Sequence, residues 1–163
     1  MKASSRAPLD RAIMSLNSEK KKEVMKAGRY YIGDLCYILD DKDWSEVCDL
    51  TFPFNQNKHK DVASVELGGR FTLKNGKIIS LYGTEHGDGT YHIKNMKDNN
   101  IGKLHVDSGT LGCVMIKDKS ELPMGSGYKT KTFKEDFELD YTNSGDIVFK
   151  NLDGDWIVYI PIM

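Results

Sequence analysis

Asp136-Phe-Glu-Leu-Asp-Tyr141, Asp146-Ile-Val-Phe-Lys150 and Asp155-Trp-Ile-Val-Tyr-Ile160 stand one after another near the end of the chain. In the first, Phe137, Leu139 and Tyr141 alternate with charged residues, the period of a strand with one face buried. The other two are β-branched and aromatic, and Asp153-Gly154 breaks them as a turn would. Working back from there, Gly112-Cys-Val-Met-Ile-Lys117, Lys103-Leu-His-Val106 and Tyr91-His-Ile-Lys94 read the same way. Arg70-Phe-Thr-Leu73 and Lys77-Ile-Ile-Ser-Leu-Tyr82 flank Asn75-Gly76, a pair that tolerates the positive φ of a type I′ hairpin turn. Strands separated by turn signals at roughly 8–12-residue spacing predict an antiparallel sandwich or bent sheet. Pro161 is expected to put the end of the last strand at an edge.

Two helices are expected beside the strands, which makes the fold class α+β. Leu9, Ile13 and Leu16 recur at helical spacing, Pro8 suits a first turn, and Gly28 suits the position after a last one. This predicts a basic helical segment over 1–28, the helix itself spanning about residues 9–27, ahead of a single β-rich domain over 29–163. Asp40-Asp41-Lys42-Asp43 offers N-cap residues for a short second helix, Trp44 to Leu50, with Trp44, Val47 and Cys48 on one face. Leu35-Cys-Tyr-Ile-Leu39 is apolar on both faces and predicts a central, covered strand.

The 163 residues suffice for one core, with 39% hydrophobic and 29% charged residues. Lys+Arg is 23 and Asp+Glu 24, a net charge of −1, which argues against a nucleic-acid binder. The first 28 residues hold seven basic and three acidic residues, a surplus of four, so the remainder stands at −5. No apolar run approaches the ~20 residues of a membrane span, and no secretory signal opens the chain. Cys36, Cys48 and Cys113 are odd in number and form no Cys-x-x-Cys, as expected of reduced thiols in a cytoplasmic protein.

Glycine and aspartate interrupt apolar strands in three places: Tyr31-Ile-Gly-Asp-Leu-Cys-Tyr37, Tyr82-Gly-Thr-Glu-His-Gly-Asp-Gly-Thr-Tyr91 and Val106-Asp-Ser-Gly-Thr-Leu-Gly-Cys113. Each is a bend where a carboxylate can bond to backbone N–H groups or face a ligand. Asp34, Asp88 and Asp107 are expected on one rim of the sheet.

These motifs together resemble small bacterial and phage proteins of unknown function. The Val-Asp-Ser-Gly stretch with Cys113 is similar to the Val-Asp-x-Gly-Thr-Gly-Cys segment of the uncharacterised DUF4241 family, with Leu111 here standing between Thr110 and Gly112. The resemblance covers about residues 28–116 and implies a mainly β fold. It carries no activity over.

No catalytic set is complete. Asp107-Ser108-Gly109 resembles the loop of retroviral-type aspartic proteases, which need a symmetric dimer to bring two carboxylates together. Cys36 or Cys113 with His86, His92 or His105 would make a thiol–imidazole pair, but both cysteines sit in apolar stretches. His86, Asp88, His92 and Asp107 lack the spacing of a metal site, so neither metal nor cofactor is expected. Gly83, Gly87 and Gly89 precede no helix, so no P-loop is present. Gly125-Ser126-Gly127 beside Lys129 and Lys131 suits a loop closing over an anion.

The expected function is therefore a non-enzymatic binding protein of bacterial or phage origin. It would hold a small polar ligand, one version being a sequestered nucleotide immune signal. A small hydrolase using Asp107 or a Cys–His pair, and a protein–protein interaction module, are the alternatives. The expected ligand contacts are Arg29, Arg70, Lys129 and Lys131 for anionic groups, Tyr82 and Tyr91 for stacking, and the rim carboxylates Asp34, Asp88 and Asp107. A homo-oligomer is compatible with all of these.

Overall fold

A computed structural model describes residues 24–57 and 68–162, with side chains described outside 52–57. Ten strands form two antiparallel five-stranded sheets. Their ranges are β1 (Gly28–Gly33), β2 (Gly69–Thr72), β3 (Ile78–Gly83), β4 (Gly89–Asn95), β5 (Asn100–Val106), β6 (Thr110–Met115), β7 (Lys129–Phe133), β8 (Phe137–Tyr141), β9 (Ile147–Asn151) and β10 (Trp156–Ile160). The first sheet has the order β2-β3-β6-β1-β7 and the second β5-β4-β10-β9-β8. Among the described residues one helix, α1 (Asp41–Asn57), and two 3-10 turns, Leu35–Tyr37 and Lys119–Glu121, accompany the sheets, an α+β fold. Among the described residues no helix is long and apolar enough to cross a membrane.

The sheets face each other across one core. Tyr30, Ile32, Leu111, Cys113 and Phe133 of the first meet Ile93, Leu104, Phe137, Phe149 and Val158 of the second. Phe133 and Phe137 stack at 3.8 Å between centroids, and Tyr30 meets Phe137 edge-on at 4.9 Å. A second cluster lies on the outer face of the first sheet. There Tyr31, Ile79, Leu81 and Val114 bury against Val47 of α1, with Trp44 packed alongside. The first sheet is thus covered on both faces, which is why Tyr30, Tyr31 and Ile32 are all buried in succession. In the second sheet β8 alternates, with Phe137 and Leu139 buried and Glu138 and Asp140 half-buried, whereas β9 buries Ile147, Val148 and Phe149 in succession.

Cross-strand register assigns the faces. Arg70, Ser80, Cys113, Ile32 and Lys129 form one row across the first sheet, on the side of the inter-sheet core. Phe71, Ile79, Val114, Tyr31 and Thr130 form the next row, on the side of α1.

Four hairpins close with one five-residue turn, at 73–77, 95–99, 142–146 and 151–155. In each the first residue's N–H donates to the fifth carbonyl, and the fourth residue's N–H donates to the first. The fourth residue has positive φ: Gly76, Asp98, Gly145 and Gly154. This is a type I turn followed by a left-handed residue. Asn75 does not share the positive φ of Gly76, so the expected type I′ turn is replaced by this longer one.

Other expectations are corrected. Leu35 to Leu39 is not a strand: Leu35–Tyr37 is a 3-10 turn, and Leu35 and Leu39 turn inward under α1. Helix α1 starts three residues before Trp44, with Asp40 accepting from the Asp43 N–H at 2.8 Å, and runs past Leu50. Pro161 follows β10, a central strand between β4 and β9, so its missing N–H falls just beyond the ladder rather than at an edge. Most of the expected helix over 9–27 lies outside the described residues. Its last residues, 24–27, are not helical, and Met25 bridges Phe137 with both backbone hydrogen bonds. That bridge adds residue 25 to the β domain beyond the expected boundary at 28.

Candidate functional site

The three glycine–aspartate stretches meet at one end of the first sheet. Asp34 terminates β1, is fully buried, and accepts four hydrogen bonds through its carboxylate. Oδ2 accepts the backbone N–H groups of Asp107 and Ser108, each at 2.7 Å. Oδ1 accepts the Cys36 N–H at 3.0 Å, capping the 3-10 turn, and the Ser108 hydroxyl at 2.8 Å. Since Ser108 donates to Asp34, the 2.7 Å contact to Thr110 Oγ1 has Thr110 as its donor. The Tyr31 hydroxyl donates to the Asp34 carbonyl at 2.6 Å. Asp34 therefore ties the end of β1 to the β5–β6 loop, and both its carboxylate oxygens and its carbonyl are engaged.

The β3–β4 loop joins through backbone contacts. Thr84 N–H donates to the Gly109 carbonyl at 2.8 Å, and Thr84 Oγ1 donates to the Gly87 carbonyl at 2.7 Å. Gly109 has φ +76°, a left-handed conformation that presents its carbonyl to Thr84 and that side-chain-bearing residues rarely adopt.

Beside these loops lies a cleft of about 620 Å³, walled by Tyr37, Asp88, Thr90, His105, Asp107 and the segment 123–128. Asp88 and Asp107 are both exposed, and among the described residues the lining holds no lysine or arginine. The Tyr37 hydroxyl donates to Asp107 Oδ2. His105 Nδ1 is bonded to Thr90 Oγ1 at 3.1 Å. The far wall is held by the His105 N–H donating to the Gly127 carbonyl at 3.1 Å. A side chain at Gly127 would collide with the His105 ring, so only glycine permits this approach. Tyr128 stacks on Tyr31 at 5.2 Å, anchoring the end of that segment to the sheet.

Titration behaviour follows the surplus of carboxylates. Burial, the hydrogen bond to Asp34 and the nearby charges of Asp107 and Asp88 push the Cys36 thiol up to about 12. The hydrogen bond to Asp107 raises the Tyr37 phenol well above its ordinary range. Cys113 is fully buried and its thiol is raised by desolvation. Neither cysteine has the depressed pKa of an activated nucleophile.

The expected contact residues separate into groups. Asp88 and Asp107 line the cleft, and Asp34 lies sealed beneath it. Tyr82 and Tyr91 belong to the inter-sheet core rather than the cleft wall. Tyr82 packs near Tyr141, and the Tyr91 hydroxyl donates to the Gly87 carbonyl at 2.8 Å, so their rings are structural. Arg29 is exposed on β1 near the opposite end of the sheet. Lys131 lies over the Phe133 ring at 5.5 Å. Arg70 and Lys129 occupy opposite edge strands, and four strand spacings put about 19 Å between them. The four cations are thus not gathered at the cleft.

Tyr37, Thr90 and Tyr128 line the cleft although the sequence reading gives them no site role, and His105, expected there only as a partner for a thiol, lines it too. Tyr37 was hidden by the strand reading of 35–39. Thr90 and His105 face each other only through the β4–β5 register. No family model matches the chain, and neither a curated protein nor a solved structure shows significant similarity to it.

Proposed function

We propose that this chain is a binding protein rather than an enzyme, and that its cleft takes a small polar ligand rich in hydrogen-bond donors. An amine or guanidinium group, free or on a side chain, is the favoured chemistry. The observation that carries this is the cleft's lining: two exposed carboxylates, Asp88 and Asp107, with the aromatic residues Tyr37 and Tyr128, and no lysine or arginine among the described residues. The volume of about 620 Å³ falls within the usual span for small-molecule sites. Carboxylates would pair with a cationic group, and tyrosine faces add attraction to it. A phosphate at the same place would meet like charge, so the nucleotide version of a sequestering protein loses its support here.

Binding is favoured over catalysis because most of the reactive groups are committed elsewhere. Ser108 donates to Asp34, Cys36 is held protonated, and Nδ1 of His105 is engaged by Thr90. Titration calorimetry with small amines and guanidines, set beside a nucleotide panel, tests this. Saturable uptake of a cationic compound, recovered unaltered, is expected. Asp88→Asn and Asp107→Asn should each weaken it about tenfold, the loss of one charge-assisted contact. Uptake of nucleotides alone, or recovery of a cleaved compound, overturns the reading.

A further inference from the structure

The end of the first sheet opposite the cleft holds a second cavity, of about 460 Å³. It lies where β1 begins, between residues 24–26, the β2–β3 turn and the end of β6. Its lining includes Arg70, Lys26, Lys77 and Lys117, with Tyr30 and Met115. Glu121 is the single carboxylate there among the described residues, and its Oε2 already accepts the N–H groups of Lys117 and Asp118 at 2.9 and 2.8 Å.

We propose that this cavity is an anion site for a phosphate-type oxyanion, with Arg70 as its principal contact and Lys117 as a second charge.

The case rests on what each cation already touches. Lys26 has Asp136 at 3.7 Å, and Lys77 has Asp43 at 3.4 Å. Arg70 and Lys117 have no carboxylate partner among the described residues. Arg70 Nε is buried and has no hydrogen-bond partner among the described residues. A buried N–H without an acceptor is unfavourable, and native proteins rarely leave one so. Arginine presents Nε and one terminal nitrogen on one flat edge, the geometry that grips two oxygens of a phosphate. The register directs Arg70 to the inter-sheet side of edge strand β2, and Arg70 lines this cavity. The volume exceeds that of a bare ion, so the oxyanion fits as one end of a small molecule. The site shares no lining residue with the acidic cleft and does not depend on it.

The test is equilibrium titration of the full chain with inorganic phosphate and with glycerol 3-phosphate, against chloride at matched ionic strength. Saturable binding tighter than about 1 mM to at least one of them is expected. Tighter binding of the ester identifies a phosphorylated small molecule; equal binding identifies the free ion. Arg70→Met should weaken it at least about tenfold. Lys117→Met should weaken it a few-fold, and Asp88→Asn in the cleft should leave it unchanged. No saturable binding of either compound overturns the proposal. So does equal affinity in a folded Arg70→Met protein. Should that variant not fold, unchanged affinity in Lys117→Met overturns it instead.

Discussion

Where β1 ends, the backbone stops on a carboxylate, Asp34, that four donors hold in place. Where β1 begins, Arg70 carries a buried nitrogen that nothing holds. Both ends belong to the same sheet, yet they manage polar groups in opposite ways. At the first end the polar atoms are spent on each other, and the loops they tie together make a wall for the cleft. At the second the cations outnumber their acceptors. A buried polar group that is fully satisfied is structural, whereas one left open marks a place where something from outside can bind. The two carboxylates left exposed at the first end, Asp88 and Asp107, follow the same logic with the opposite sign of charge.

The largest expected effect is at the saturated end. Asp34→Ala strands the N–H groups of Asp107 and Ser108 and uncaps the 3-10 turn at Cys36. Each buried donor left unpaired costs about 1–3 kcal/mol, so the loss should reach about 3 kcal/mol in chemical denaturation. The cleft should open with it, since the 106–110 loop loses its tether to β1. A loss below about 1 kcal/mol would place Asp34 outside the structural role.

The opposite end should tolerate a comparable change. Lys77→Ala removes the 3.4 Å pair with Asp43, whose carboxylate is nearly buried. Asp43 keeps both oxygens on the Asn75 side-chain amide at 3.1 Å, so it is not left bare. Lys77 is more than a third exposed, which screens the pair. About 1 kcal/mol or less should be lost in the same denaturation measurement. A loss as large as that of Asp34→Ala would erase the contrast between the ends.

Much of this arrangement is legible along the chain, and the misses have two causes. Alternation in Phe137, Leu139 and Tyr141 is a local property of a strand with one covered face, and it reads directly. The Gly–Asp interruptions are local too, and they meet at one rim as bends in neighbouring strands do. Leu35 to Leu39 misleads because apolar residues on both faces fit a covered strand and a tight turn under a helix equally well. Asp34, a capping residue standing before that stretch, is the signal that favours the turn. The grouping of Arg29, Arg70, Lys129 and Lys131 fails for a different reason. Strand order β2-β3-β6-β1-β7 places Arg70 at one edge and Lys129 at the other. No local period encodes that order. The open Nε of Arg70 is invisible from sequence for the same reason, since it follows from which strands flank β2.

The smallest effect sharpens the comparison through pH. Cys36 sits at the acidic end, and its thiol is raised from an ordinary value of 9.0 to about 12, first by burial and then by Asp34, Asp107 and Asp88. In the unfolded chain the thiol ionises near its ordinary value, so between about pH 9 and 12 the unfolded state holds fewer protons than the folded one. Stability must then fall as pH rises through that window, and the contribution is fully present below it. Burial hinders the thiolate more than any single carboxylate does, so removing one charge restores part of the shift and not all of it. Alkylation of Cys36 by iodoacetamide, followed by mass spectrometry against pH, reads the ionisation directly. The rate at pH 8 should lie far below that of a free thiol and climb about tenfold per pH unit towards 12. Asp107→Asn should shift the profile to lower pH, because a neutral amide no longer opposes the thiolate. A wild-type profile that turns over near pH 9 would mean the carboxylates do not act on Cys36, and the acidic end would lose its electrostatic distinction from the basic one.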